Sequence, residues 1–270
     1  MYIIKRLSQN IGLKLENYGK RIDRIRLQNI TIDKKEFIED LKNAIYNKIG
    51  YAAGKIGRCE EYFMYYKVLI EKVKNENKIK EFEKHLVFNF MNQTGLFPPD
   101  FNFILEYSEF YVNQVKNMDC LGICYATWEL QIIKAYEIKN KLIYYVDQEP
   151  DRSIPSNDEA CYLNLFKDKN ILLICPFADI LRQRATKDIF EGVWEKIGKK
   201  WFYPKSVEAL QFPYGFSSKT QEQYSTAFDL LDYIKLQIDK KDFDIALIAA
   251  AGLAIPISSY IKNTGRIGIS

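Results

Sequence analysis

The chain has 270 residues, 47% of them hydrophobic and 27% charged, with a formal net charge of +4. That is ordinary globular usage for one large domain, long enough to bury a core without disulfides or structural metal. The charge is too slight for a nucleic-acid-binding protein, which needs a concentrated basic face. The longest apolar run, residues 245–257, is too short to span a bilayer and contains Gly252 and Pro256.

The five cysteines, Cys59, Cys120, Cys124, Cys161 and Cys175, are odd in number and scattered, and most have apolar neighbours. This usage suits a reducing cytosol better than a disulfide framework. Cys120 and Cys124 have a spacing that can hold zinc, but no second cysteine pair or histidine cluster accompanies them. The apolar start of the chain is broken by Lys5 and Arg6, so no secretory leader is expected. A cytoplasmic protein follows, with at most peripheral contact at the inner face of a membrane.

Residues 1–34 read as a basic arm, with 12–29 able to form an amphipathic helix that either docks on the domain or meets a membrane surface. From Asp33 the signals sharpen. Asp33 with Glu36 forms a capping box, and Phe37, Leu41, Ala44 and Ile45 form an apolar stripe. Gly50 and Gly54 are expected to end that helix and open a loop. Helices are predicted over 60–74, 78–92 and 99–117, then a strand over 120–125, a helix over 128–140 and a strand over 142–146. Residues 170–175 (NILLIC) and 244–249 (DIALIA) are continuous apolar runs, the pattern of strands buried on both faces. Between them the pattern predicts a helix over 178–190, short strands over 200–203 and 207–212, and a helix over 220–239. A helix over 254–263 and a strand over 266–270 complete the chain. Strands alternating with helices predict an α/β, Rossmann-like, doubly wound and mostly parallel sheet with helices on both faces, occupying residues 35–270.

In such folds ligands bind at the carboxyl edge of the strands, which directs attention to three loops. The segment from Gly54 through Gly57 and Arg58 to Glu60 and Glu61 combines close backbone approach with a helix N-terminus suited to an anion. Simple capping by the two glutamates is the alternative. Pro176 and Phe177 follow NILLIC, and Ala250, Ala251 and Gly252 follow DIALIA. Small residues there let a nucleotide or sugar lie against the backbone, or let a helix pack closely on a strand. Asp147, Gln148 and Glu149 have the spacing of a metal-binding carboxylate pair, although Pro150 favours an ordinary loop. His85, the single histidine, suits a surface or packing role better than a base.

Taken in order, several segments resemble the GT-D-type bacterial glycosyltransferases. Lys55-Ile56-Gly57-Arg58-Cys59-Glu60 is similar to their R-I-G-D-G-E, and the run from Asn92 through Gly95 to Pro98 to their N-N-A-G-x-F-P. Asp119 to Gly122 resembles D-x-L-G, and Leu172 to Phe177 resembles V-L-V-I-x-P-F. The segment from Phe243 through Gly252 to Lys262 and Gly265 matches a fifth pattern, and the order holds from about residue 45 onward.

This resemblance implies a nucleotide-sugar donor, most simply a UDP-sugar. It implies a glycan, lipid-linked glycan or glycoprotein acceptor, and a role in surface polysaccharide or capsule biosynthesis. It also implies Mn or Mg held by an Asp-x-Glu pair. The aspartate of that pair falls on Arg58, which leaves Glu60 as the metal ligand and catalytic carboxylate. Arg58 can neutralise a diphosphate in place of the cation, so weak or absent metal dependence is expected. The implied donor-binding residues are Gly57, Asn92, Gly95, Pro176, Phe177, Ala250, Ala251 and Gly252. The family continues into a glycine-rich segment beyond position 270, so the C-terminal end is expected to be short relative to it. A non-catalytic GT-D-like binding or assembly subunit is the competing expectation.

Overall fold

The structure is a computed structural model that describes residues 21–148, 155–159 and 161–270. Its elements are α1 (21–28), β1 (Thr31–Ile32), α2 (Lys34–Asn47), β2 (Tyr51–Lys55), α3 (Arg58–Lys72), α4 (Glu76–Thr94), α5 (Phe101–Asn117), β3 (Cys120–Ile123), α6 (Thr127–Ala135), β4 (Lys141–Tyr144) and α7 (Tyr145–Gln148). There follow β5 (Asn170–Ile174), α8 (Ala178–Arg184), α9 (Lys187–Val193), β6 (Ser206–Leu210), α10 (Ser218–Gln223), α11 (Ala227–Ile238), β7 (Ile245–Ile248), α12 (Ala254–Asn263) and β8 (Ile267–Ile269).

Among the described residues the strands form one eight-stranded sheet in the order β1-β4-β3-β2-β8-β7-β5-β6. Every pairing is parallel. Period-two alternation sends successive side chains to opposite faces, and the sheet has a core on each. Ala52, Leu172, Ile174, Ala246 and Ile248 pack with residues of α3, α4, α5, α6, α11 and α12. Ala53, Ile171, Ile245, Ile267 and Ile269 pack with Phe37 and Leu41 of α2 and with Tyr162 and Phe166 of a 3-10 turn. The fold is therefore α/β and doubly wound, as the alternating elements predict. Leu27 of α1 is fully buried in the first core, and β1 pairs with β4. Residues 27–32 thus belong to the domain body; residues 1–20 of the expected arm lie outside the described residues.

The direction of each crossover decides where the sheet opens. The chain leaves β5 toward β6, on one side, and leaves β7 toward β8, on the other. Right-handed connections then put their helices on opposite faces, and the carboxyl ends of β5 and β7 flank a topological switch point of the kind at which open α/β sheets bind ligands.

Several predicted boundaries move, each for a local reason. Gly54 lies inside β2, which the sequence pattern assigns to a loop; the strand is built of small residues because its neighbours press close. A Cβ on Gly54 would lie 2.2 Å from the Ser270 hydroxyl oxygen and 2.9 Å from Ile255 Cδ1. Asp33 caps α2 by accepting from Glu36 N at 2.8 Å. The Glu36 carboxylate does not close a capping box but pairs with Lys141 at 2.9 Å. The predicted helix over 220–239 is two helices, since Thr226 and Asp229 form a capping box that starts α11 afresh. The helix predicted over 178–190 likewise divides into α8 and α9. Residues 200–203 form no strand: Trp201 and Phe202 turn their rings onto Phe190 at 5.3 and 5.8 Å.

The amino edge is held by charge. Asp119 accepts from Ala52 N at 2.9 Å and from Lys262 Nζ at 2.7 Å, and Lys262 also donates to Asn117 O at 2.7 Å. One carboxylate therefore ties β2, β3 and α12 together. Charge-assisted hydrogen bonds contribute about 1.5–3 kcal/mol each, discounted here because both side chains are part-exposed. Asp119→Ala should lower the unfolding free energy by about 2 kcal/mol, and Asp119→Asn, which can still accept from Ala52 N, by about half of that. Urea titration of both variants measures the difference.

Candidate functional site

The loops after β2, β5 and β7 carry Gly57 to Glu60, Pro176 to Phe177 and Ala250 to Gly252. Because the strands are parallel, all three emerge at one edge of the sheet. Among the described residues no single cavity gathers them; the edge carries three depressions instead.

The central one, about 400 Å³, opens over the ends of β2, β8, β7 and β5. Lys55, Tyr145, Cys175, Leu181, Ala249 and Ser270 are among its walls. The Lys55 ammonium lies 4.1 Å from the centre of the Tyr145 ring, and no carboxylate forms an ion pair with it among the described residues. The Ser270 hydroxyl is buried without a hydrogen-bond partner among the described residues. A second depression, about 260 Å³, is lined by Gly95, Pro176, Tyr214, Phe216, Ala250 and Ala251. A third, about 610 Å³, contains Arg58. A larger hollow of about 740 Å³ lies at the amino edge. Its Lys141 is paired with Asp40 and its Asp119 with Lys262, so those charges already have structural partners.

The predicted site residues separate accordingly. Glu60 is 6% exposed. Its carboxylate folds back under Gly57, where an added Cβ would lie 2.0 Å from Glu60 Oε2. Burial raises its pKa to about 6, against the opposing effects of its own backbone N–H and of Lys55. Its carboxylate thus meets its own backbone N–H in the first turn of α3. Arg58 is exposed and stands 5.5 Å from the centre of the Trp128 ring. Asn92 is exposed and donates to Phe88 O at 2.9 Å, within its own helix.

Gly95 and Gly252 are buried. Gly95 ends α4 in the left-handed conformation, at φ 66°. Gly252 faces the core rather than a ligand space: a Cβ there would lie 2.6 Å from Leu96 Cδ1, and its carbonyl accepts from the Tyr107 hydroxyl at 2.9 Å. The small residue serves close packing at that position. Pro176, Ala250 and Ala251 face the 260 Å³ depression, and Phe177, the next residue after Pro176, is exposed.

These residues do not fit a divalent cation. Glu60 is turned onto its own backbone, and the nearby Arg58 is a fixed cation. The neighbouring carboxylate, Glu61, is engaged elsewhere, accepting from the Trp128 indole N–H. Among the described residues no group of three or more acidic, cysteine or histidine side chains could hold a metal, and Glu149 lies outside them. Cys120 is buried in β3 and Cys124 exposed beyond its end. His85 is exposed, edge-on to Tyr62.

Sequence reasoning missed a buried carboxyl pair beside Arg58. Glu61 and Glu129 are 3% and 4% exposed. Glu129 accepts from the backbone N–H groups of Cys124, at 2.6 Å, and Ala126. Burial and the adjacent Glu129 push the Glu61 pKa well up, so Glu61 keeps a proton and hydrogen-bonds its neighbour. The two residues are far apart in sequence and carry no shared motif. The T-x-E pattern at the start of α6 marks only the helix, not its partner.

The pKa of Glu60 gives a stability test. Its folded value, about 6, lies above the ordinary 4.5. Native protein therefore binds more protons than unfolded protein in that window, and stability falls as pH rises from 4.5 through 6. The loss amounts to about 2 kcal/mol. Glu60→Gln should abolish this loss, so its stability relative to wild type should rise by that amount across the window. Chemical denaturation of both proteins at several pH values measures it. No family, no characterised protein and no solved structure matches the chain in comparisons with known proteins, so the reading of this edge rests on its own geometry.

Proposed function

We propose that the chain is a glycosyltransferase that moves a sugar from a nucleotide-sugar donor to a glycan, lipid-linked glycan or glycoprotein acceptor. The setting we propose is bacterial surface polysaccharide biosynthesis. The observation that carries this reading is the central cavity at the carboxyl edge. It lies beside the β5/β7 switch point, its size falls within the usual range of small-molecule pockets, and it holds an ammonium with no carboxylate partner among the described residues. The order of GT-D-like segments along the chain supports the same class.

Glycosyl transfer passes through an oxocarbenium-like state while charge grows on the leaving diphosphate. Fixed cations close to that charge lower the barrier. In this reading Lys55 meets the diphosphate, the Tyr145 ring beneath it limits the ammonium's freedom, and the apolar walls from Leu173, Leu181 and Leu247 exclude water. Ala249 lets the ligand approach the end of β7. The Ser270 hydroxyl can accept or donate one hydrogen bond. Because Glu60 and Arg58 do not form a cation site, no step is assigned to Mn or Mg.

The buried Glu60, turned onto its own backbone, favours a second reading, a non-catalytic binding or assembly subunit with the same cavity. Donor turnover separates the two. Nucleotide-sugar hydrolysis, screened over several donors without acceptor, should be detectable in wild type. It should fall by roughly ten- to a hundredfold in Lys55→Met, the loss expected for one charge-assisted contact. Nucleotide binding without turnover of any donor would favour the binding subunit. Added Mn should change the rate little.

A further inference from the structure

The 610 Å³ cleft at the end of β3 has a composition unlike the other hollows. Three guanidinium groups, Arg21 and Arg24 of α1 and Arg58 of α3, share it with the rings of Tyr65, Tyr125 and Trp128. Among the described residues no carboxylate lines it, and none of the three arginines has an ion-pair partner. Three unpaired cations around one hollow repel each other at a cost, and an anion between them relieves it.

The ring walls, by contrast, are fixed. The Trp128 indole N–H is held by the Glu61 carboxyl. Tyr125 stacks on Tyr144 with centroids 4.9 Å apart and planes within 8°, and its hydroxyl lies 3.2 Å from Thr31 Oγ1. Tyr65 hydrogen-bonds Gln131 at 3.3 Å. Behind this wall the two carboxyls already have partners: Glu61 is held by the Trp128 indole, and Glu129 accepts from the backbone N–H groups of Cys124 and Ala126. Rigid aromatic walls with unpaired, bidentate donors between them suit a ligand that is anionic at one end and flat or ring-shaped at the other.

We propose that this cleft binds a phosphate or diphosphate ester bearing a ring, with the phosphate oxygens on Arg21, Arg24 and Arg58 and the ring against Trp128 and Tyr125. The site is distinct from the central cavity and does not require that the chain transfer sugars. The same chemistry can come from a nucleoside diphosphate or from a phosphorylated sugar.

The test is calorimetric titration of the full chain with inorganic pyrophosphate, uridine diphosphate and glucose 1-phosphate, with uridine as the uncharged control. Wild type should bind pyrophosphate saturably. Arg24→Gln and Arg58→Gln should each weaken it about tenfold, the effect of one charge-assisted contact at a part-exposed site. Both arginines are exposed, and circular dichroism checks that the variants keep the fold. Tighter binding of uridine diphosphate or of glucose 1-phosphate than of pyrophosphate identifies the source of the ring. Absence of saturable pyrophosphate binding, or an affinity unchanged by Arg24→Gln, overturns the proposal. If the affinity falls in Lys55→Met but not in Arg24→Gln, the anion sits in the central cavity. The cleft proposal then fails while the glycosyltransferase reading stands. If neither ester binds more tightly than pyrophosphate, the aromatic wall has no role and that half of the proposal is overturned.

Discussion

The close seating of α12 on the seam between β2 and β8 is the constraint on which the rest of the molecule depends. A Cβ on Gly268 would lie 2.9 Å from Ser258 Cα, and one on Gly50 only 2.1 Å from Lys262 O. These contacts are with helix backbone, which cannot swing aside. The sheet therefore carries small residues where the helix crosses it, and Ser258 and Ser259 on the helix are fully buried. The Asp119–Lys262 pair fixes the same helix at its C-terminal end. Because β2 continues into α3 and β7 leads into α12, this one packing contact sets how the loops after β2 and β7 stand relative to each other.

What the sequence reveals follows from this arrangement. NILLIC and DIALIA are legible because strands covered on both faces need apolar side chains throughout. β2, equally central, is not: its Ala52 and Gly54 answer to the approach of α12 and Ser270, Ala53 faces the opposite core, and a Gly-Ala run carries no strand signature. The break before α11 was legible in the Thr226-x-x-Asp229 spacing, but the apolar stripe on either side hides it. Placement of the loops on one edge follows from parallel strands and right-handed connections. The division of that edge into three hollows does not, since it depends on which way individual side chains turn. Glu60 illustrates the difference. Its position at a helix N-terminus is readable from the residues, while its turn under Gly57 is set by burial and the bare glycine backbone.

The two edges of the sheet use charge in different ways. At the amino edge, Asp119, Asp40 and Glu36 meet Lys262 and Lys141, and Asp244 accepts from Asn170 N at 2.7 Å, so opposite charges are matched across neighbouring elements. At the carboxyl edge, Lys55, Arg58, Arg21 and Arg24 stand without carboxylate partners among the described residues, and the acids nearby are buried and bonded to backbone, indole or each other. Paired charge at one edge holds strands and helices in place. Unpaired positive charge at the other creates a local field for anions that the modest net charge of the chain does not suggest.

The pairing of Tyr51 with Ile267 also has a kinetic consequence. More than two hundred residues separate these neighbours, and β8 is the strand that joins the β1–β4 half of the sheet to the β5–β7 half. Until residues 254–269 are in place, each half exposes an unpaired central strand edge. Loop closure over such a span is entropically costly and is compensated only once the whole seam forms. The two halves should therefore collapse separately and join last, with the open edges of β2 and β7 the segments most prone to wrong pairing in the interval.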